Sequence, residues 1–125
     1  MNLADQSVKR DGKSWSEIDD WPDLDDGWAG HAPIGTFAAN PFGLHEVHGN
    51  VWEWCVDVRD EDFYSKSPRL DPVQSDAVDP GRMDRGGSFA NTASHARSSN
   101  RYTESPDYKN FSVGLRPARA LRRSP

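Results

Sequence analysis

Glu53 stands where a carboxylate is hardest to keep. The run Gly49-Asn50-Val51-Trp52-Glu53-Trp54 continues as Cys55-Val56-Asp57-Val58, and past Gly49 it alternates strictly. Trp52, Trp54, Val56 and Val58 fall on one face; Val51, Glu53, Cys55 and Asp57 fall on the other. Period-two alternation of β-branched and aromatic residues predicts a strand with one strongly apolar face. Such a strand must be largely buried, which leaves Glu53 between two large hydrophobes. A buried carboxylate without a partner is costly, so Glu53 should pair with a cation or bind a metal ion. The competing reading is that it caps a turn through backbone amides. The Gly49-Asn50 turn can aim successive carbonyls at one point, so the residues suggest an oxygen-lined ion site where turn meets strand.

Other candidate groups carry less chemistry. His45 and His48 have an i, i+3 spacing, but two imidazoles need a further ligand to define a transition-metal site; they read as turn or surface residues. Cys55 is the only cysteine, which excludes an internal disulfide and an all-protein thiolate site. A lone cysteine on a strand reads as a small hydrophobe.

The elements that must hold these groups are short and widely spaced. At 125 residues, a single domain spanning 1–120 is expected, followed by a basic tail at 121–125. Apolar residues make up only 34%, so the core must be small and should depend on the aromatics, five Trp and five Phe among them. Ser14-Trp15-Ser16-Glu17 fits a capping box opening one short helical turn, which Pro22 ends. Asp19, Asp20, Asp23, Asp25 and Asp26 then crowd one loop, which repels itself unless cations neutralise part of it; most of these aspartates read as solvated. Arg59 to Arg82, with three prolines and no apolar period, reads as a long surface loop. Arg85 to Leu115 returns to short alternating pieces, with 100–111 a further polar loop. No apolar run is long enough to span a membrane, and the N-terminus lacks the pattern of a signal peptide, so a cytoplasmic location is the default. A net charge of −5 argues against nucleic acid as a partner.

Several motifs in order give a family resemblance. Gly43-Leu44-His45-Glu46-Val47-His48-Gly49-Asn50-Val51-Trp52-Glu53-Trp54 resembles the signature of the formylglycine-generating-enzyme (sulfatase-modifying factor) domain family. Asn2-Leu3-Ala4-Asp5, Asp26-Gly27-Trp28, Ala32-Pro33-Ile34-Gly35-Thr36-Phe37, Arg85-Gly86-Gly87-Ser88-Phe89, Arg97-Ser98-Ser99-Asn100-Arg101 and Val113-Gly114-Leu115-Arg116 extend the match. Family catalytic domains are longer, and the chain resembles their C-terminal half. The resemblance implies an α+β, C-type-lectin-like fold of short antiparallel strands, few short helices and much irregular chain. It also implies calcium at two places. The first combines Asn2, the Leu3 carbonyl, Asp26 and the Trp28 carbonyl, with Asn2 close enough to the terminus for fraying to weaken it. The second combines Glu46, the Gly49 and Val51 carbonyls, and Glu53, and here the local spacing agrees. Both are hard oxygen sets that suit calcium rather than zinc or copper.

The resemblance also identifies what this sequence lacks. Formylglycine-generating enzymes carry two cysteines just beyond the Arg85–Phe89 motif, bind copper(I) through them and oxidise a substrate cysteine with oxygen. The matching positions here are Asn91 and Ala96, and neither replaces a thiolate. The iron-binding sulfoxide synthases of the same family use histidines of a helical domain that this chain does not contain. The expected function is therefore a non-catalytic, calcium-stabilised module that binds a protein or small-molecule ligand. The rivals are a truncated or divergent oxidoreductase, a ligand-display variable protein of a diversity-generating retroelement, and a gene fragment without function. Asn91, His95, Arg97, Tyr102 and Tyr108, on loops mixing aromatic and adaptable polar side chains, are the expected ligand contacts. Arg85, Ser88, Arg97, Arg101 and Arg116 should mostly satisfy loop carbonyls and the aspartates.

Overall fold

A computed structural model describes residues 1–13, 15–76 and 81–118. Four strands form one sheet: β1 (Trp52–Val58), β2 (Arg82–Arg85), β3 (Tyr102–Glu104) and β4 (Val113–Gly114), in the order β3-β2-β1-β4. The fold is α+β with much irregular chain, as expected. The sheet is mixed rather than purely antiparallel. β1 runs antiparallel to β2, with Glu53 opposite Arg85 and Trp54 opposite Asp84, but β4 lies parallel to β1. β2 pairs antiparallel with β3, placing Asp84 beside Tyr102. The β1–β2 register shifts between Trp54 and Val58, and the irregularity lets the strand bend away at its far end.

Two sequence expectations about burial need correction. Only the ends of β1, Trp52 and Val58, are buried, and Val56 on the supposed core face is 65% exposed. The core is also mainly aliphatic, with Trp52 the one aromatic ring buried among the described residues: Leu3, Ala4, Val8 and Ile18 are buried, with Ala4, Val8 and Ile18 in mutual contact. Trp15, Trp21 and Trp28 remain substantially exposed. The irregular chain leaves these broad rings at the surface, while small aliphatic side chains fill the tight space of the core.

That tight space is built by a helix the sequence reading missed. In α1 (Gln6–Arg10), Asp5 is the N-cap, its carboxylate accepting the Ser7 amide at 2.8 Å, and Lys9 and Arg10 occupy the last turn. Both features favour the helix at its two ends. The two cations neutralise part of the acidic loop: Lys9 pairs with Asp19, and an Arg10 guanidinium nitrogen lies 2.8 Å from Asp25. The bond from Arg10, with another from Ser7, holds the Asp25 carboxyl far below its ordinary value. The turn foreseen from the capping pattern is a 3₁₀ helix, Ser16–Asp20, entered through Trp15 without a side-chain cap; Ser14 lies outside the described residues, as do the 121–125 tail and Pro80. The 59–82 loop carries a second short helix, α2 (Phe63–Lys66), within otherwise mostly exposed chain.

Gly49 ties the two halves of this coil-rich fold together. Its amide donates to the Gly86 carbonyl at 2.7 Å, and the next amide, of Asn50, donates to the Asn2 carbonyl at 2.7 Å. Asn2 and Gly49 form an isolated parallel bridge, and Ala4 donates to the Asn91 carbonyl at 2.9 Å. Asn50 completes the junction from a left-handed backbone (φ 66°), its side-chain oxygen accepting from Asn2 and from the Ala32 amide, both at 3.1 Å. Backbone groups without regular ladders are thus satisfied by a few asparagine side chains and by the Gly86-Gly87 turn.

Candidate functional site

Three polar corners surround that junction. In the first, Asn2 is fully buried. Its side-chain nitrogen donates to the Gly30 carbonyl at 2.8 Å and to Asn50 at 3.1 Å. Its Oδ1 is buried and has no hydrogen-bond partner. The half-buried Asp26 accepts the Leu3 amide at 2.7 Å and the Trp28 amide at 2.8 Å. Burial pushes the Asp26 carboxyl up in spite of these amides. The chain therefore brings Leu3 and Trp28 to the Asp26 carboxylate through their amides, while the Asn2 side chain turns to Gly30 and Asn50. An orphaned buried oxygen costs about 1–3 kcal/mol, and an amide oxygen such as the Asn2 Oδ1 is the kind of donor a hard cation takes.

The second corner is a cavity of about 390 Å³ lined by Glu46, Asn50, Val51, Glu53, Leu115 and Arg116, among others. Glu53 meets a cation there, as its strand position requires, but the cation is Arg116. The Arg116 Nε lies 3.0 and 2.9 Å from the two Glu53 oxygens, and another guanidinium nitrogen donates to the His45 carbonyl at 2.8 Å. Glu46 has a left-handed backbone (φ 49°) and accepts the Gly35 and Phe37 amides at 3.1 and 3.2 Å. Burial raises its carboxyl, but these amides, with His45 and Arg116, hold it below its ordinary value. Gly49 does not line this cavity; its carbonyl accepts the Val51 amide at 3.0 Å. The structure thus joins Glu46, Val51 and Glu53 and leaves Gly49 to its junction.

The histidine pair does not converge. His45 bonds to the Phe37 carbonyl at 2.8 Å and His48 to the Ala96 carbonyl at 2.7 Å. Among the described residues, no three His, Cys, Asp or Glu side chains cluster as ligands. Cys55 is half-buried, and burial pushes its thiol up, which disfavours the thiolate.

The third corner is an open cleft of about 270 Å³ between β2, β3 and the segments 88–95 and 108–113. It contains four of the five expected ligand residues: Asn91, His95, Tyr102 and Tyr108. Arg97 is excluded, because its Nε turns to the Ser94 carbonyl at 2.9 Å. Asn91 is engaged at the cleft floor, its side-chain oxygen accepting from Ser88 Oγ at 2.6 Å and from the Trp52 indole at 2.8 Å. Ala96 is buried in the 3₁₀ helix Ala93–Ala96, where the neighbouring Gly87 approaches so closely that a Cβ would sit 3.3 Å from its backbone. Arg85 donates to the Ser98 and Asn100 carbonyls at 3.0 and 3.3 Å, and Arg101 stacks 4.7 Å from the Tyr64 ring centre. The arginines therefore mostly bind loop backbone, as expected.

Two acids in this cleft escaped the sequence reading. Asp84 is 1% exposed with an Oδ1 that has no partner, and Glu104 lines the same space. The available signal was the strand Arg82-Met83-Asp84-Arg85 itself, where alternation puts Asp84 on the face opposite Met83 just before a tight glycine turn.

Comparison with known proteins agrees with this architecture. Residues 2–121 match the sulfatase-modifying factor enzyme 1-like domain family. A formylglycine-generating enzyme of Thermomonospora curvata is 37% identical over 100 residues, covering 75% of this chain and 33% of its own length. The structure of PvdO from Pseudomonas aeruginosa superimposes with a TM-score of 0.65 at 27% identity, over 72% of this chain and 34% of PvdO. Treponema denticola variable protein 1 superimposes with a TM-score of 0.56 at 27% identity, over 70% of this chain and 31% of that one. The chain spans about a third of the length of the curated formylglycine-generating enzymes it matches. No helix among the described residues is long and apolar enough to cross a membrane.

Proposed function

The chain belongs to the sulfatase-modifying factor enzyme 1-like domain family, and from that membership we propose a non-catalytic, calcium-stabilised module that binds its ligand in the cleft floored by Asn91. The observation that carries this reading is the chemistry of Asn91. Where copper-dependent relatives need a soft thiolate, this chain has a hard amide oxygen already bonded to Ser88 and Trp52. With Ala96 at the other position and Cys55 on a different strand, the cleft keeps the shape of a ligand site without the donors of a copper(I) site. The aromatic and polar lining suits recognition of a ligand, and the likeness to a solved variable protein supports the same reading.

A direct assay separates this from the oxidoreductase reading. Incubated with copper(I), oxygen and a sulfatase-type cysteine peptide, the chain should leave the peptide without a formylglycine aldehyde by mass spectrometry. Aldehyde formation that survives Cys55→Ser would overturn the non-catalytic assignment.

Calcium would be held by the oxygens of Asn2, Leu3, Asp26 and Trp28, and by those of Glu46, Val51 and Glu53 once Arg116 yields its place. The unpartnered Asn2 oxygen supports the first of these. Calcium at about 100 times its dissociation constant adds about 2.7 kcal/mol of stability, which a chelator-stripped sample should register as a rise of several degrees in Tm. Arg116→Gln distinguishes the corners. Without calcium it should destabilise by about 1–2 kcal/mol, because Glu53 loses its counter-ion. With calcium the loss should shrink. An equal penalty in both conditions would remove calcium from the Glu46–Glu53 cavity and leave only the Asn2–Asp26 corner.

A further inference from the structure

The cleft combines features that its role as a general binding surface does not explain. Asp84 lies on β2 with its side chain at the cleft floor, 1% exposed, and its Oδ1 has no hydrogen-bond partner. Glu104, on the adjacent strand β3, lines the same space. Among the described residues no lysine or arginine forms an ion pair with either acid. The cations that flank Asp84 on β2 donate elsewhere: Arg82, in register with Glu104, to the Val56 carbonyl at 2.8 Å, and Arg85 to the loop carbonyls of Ser98 and Asn100. Two uncompensated carboxylates in one cleft are expensive unless a positive charge arrives from outside.

The walls restrict what that charge can be. The Trp52 and Tyr102 rings lie 5.7 Å apart at 34°, and Tyr102 is half exposed at the cleft mouth. Tyr108 lines the opposite side, its hydroxyl accepting from Asn110 at 2.7 Å. Aromatic faces beside carboxylates attract an organic cation, which gains ring contact and ion pairing together. A small hydrated metal ion gains nothing from the rings. About 270 Å³ of space is enough for the end of an arginine or lysine side chain and too little for a folded partner to enter.

We propose that this cleft takes an organic cation, an amine or guanidinium group, seated against Asp84 and Glu104 and flanked by Tyr102, Trp52 and Tyr108. This rests on the cleft being the binding site of the module and names the chemistry of what enters it. Burial, with Glu104 as a secondary cause, raises the Asp84 carboxyl to about 6. An arriving cation offsets both effects, so the energy the empty site holds against the charged acid becomes available to favour the ligand. The charge is shared between a fixed acid on the floor and a second acid on β3, which favours a planar, two-pronged guanidinium over a single ammonium. The cation can come as a free small molecule or at the tip of a peptide side chain, and the chemistry at the floor is the same.

Titration calorimetry on the full chain at pH 7.5 tests this with four probes: butylguanidinium, butylammonium, the neutral isostere butylurea, and a short peptide with a central arginine. The two cations should bind and butylurea should not, with guanidinium the tighter. A peptide that binds at least tenfold tighter than butylguanidinium marks a side chain as the source; equal affinity marks a free small molecule. Asp84→Asn and Glu104→Gln should each weaken cation binding at least tenfold while melting temperature is kept or raised. Glu104→Gln serves as the second variant because its position is only half-buried. Binding of butylurea as tightly as butylguanidinium, unaffected by either variant, would overturn the cation assignment and leave the cleft as a neutral-ligand site. Calcium bound with loss on Asp84→Asn would replace it with a metal site. No binding of any of these probes to the wild type would also overturn it; Tyr102→Ala, which should then leave any other ligand of the module unaffected if the cleft is not its site, tells whether the broader binding reading falls as well.

Discussion

Gly49→Ala should destabilise the chain by about 3–5 kcal/mol, from the cost of overpacking added to that of a left-handed backbone. Gly49 has φ 86°, and an added Cβ would lie 1.9 Å from the Asn2 carbonyl oxygen and 2.7 Å from its carbon. The obstruction is backbone, so no rotamer change relieves it. To make room, the Asn2–Gly49 bridge must open, which breaks the Asn50 amide bond to Asn2 and exposes the buried Asn2 side chain. Gly12→Ala is the control: it has a similar φ of 81° with nothing within 4 Å of the added atom, so it should cost only about 1 kcal/mol. Urea unfolding of the two variants and the wild type would measure both penalties. Equal losses would mean that the Gly49 contact relaxes freely and that the junction is not what fixes the N-terminal segment.

Asp84→Asn should stabilise the chain at neutral pH by about 2–3 kcal/mol, the free-energy equivalent of moving an acid by about two pKa units. Burial, then the charge of Glu104, raises the Asp84 carboxyl from 3.8 to about 6. The folded state therefore keeps its proton to higher pH than the unfolded chain does. The resulting stability is fully present below pH 3.8 and is lost as pH rises through about 6. The amide carries no such dependence, so the advantage of the variant should be small at pH 4 and should grow to its full value by pH 7. Other groups of both signs titrate over part of this range, Asp26 raised and Glu46 lowered, so the difference between variant and wild type is the quantity to follow. A variant less stable than wild type at every pH would mean that the Asp84 carboxylate is satisfied by its surroundings.

What was legible in the sequence was local. The turn at Gly49-Asn50 followed by a strand, the need of Glu53 for a positive partner, and the role of arginines as backbone ligands all follow from spacing and residue type. The strand's half-exposure was not legible, because burial of Trp54 and Val56 depends on what β4 and the 108–115 segment cover, and period alone does not say. The parallel placement of β4 and the identity of Arg116 as the partner of Glu53 were equally hidden, since each joins residues separated by more than fifty positions. α1 was missed although Asp5 and the Lys9-Arg10 pair marked its ends; five residues are too few for a periodic signal. At the first corner, only family likeness joined Asn2 to Asp26. In the cleft, the structure brings together four of the five residues expected to share it and leaves out Arg97, whose side chain finds a carbonyl one turn away.

The knot of bonds around Asn2 has a consequence for how the chain comes into being. Asn2 to Ala4 leave a ribosome well before the groups that hold them, Gly49, Asn50 and Asn91. Closing such distant pairs is slow, since loop entropy must be lost before any contact rewards it. The N-terminal segment must therefore stay solvated, its apolar Leu3 and Val8 unsheltered, until most of the chain has emerged. Chaperones that capture exposed apolar segments would meet this one in that interval, and the half-made chain would be most prone to aggregation before the Gly86 turn arrives to complete the junction.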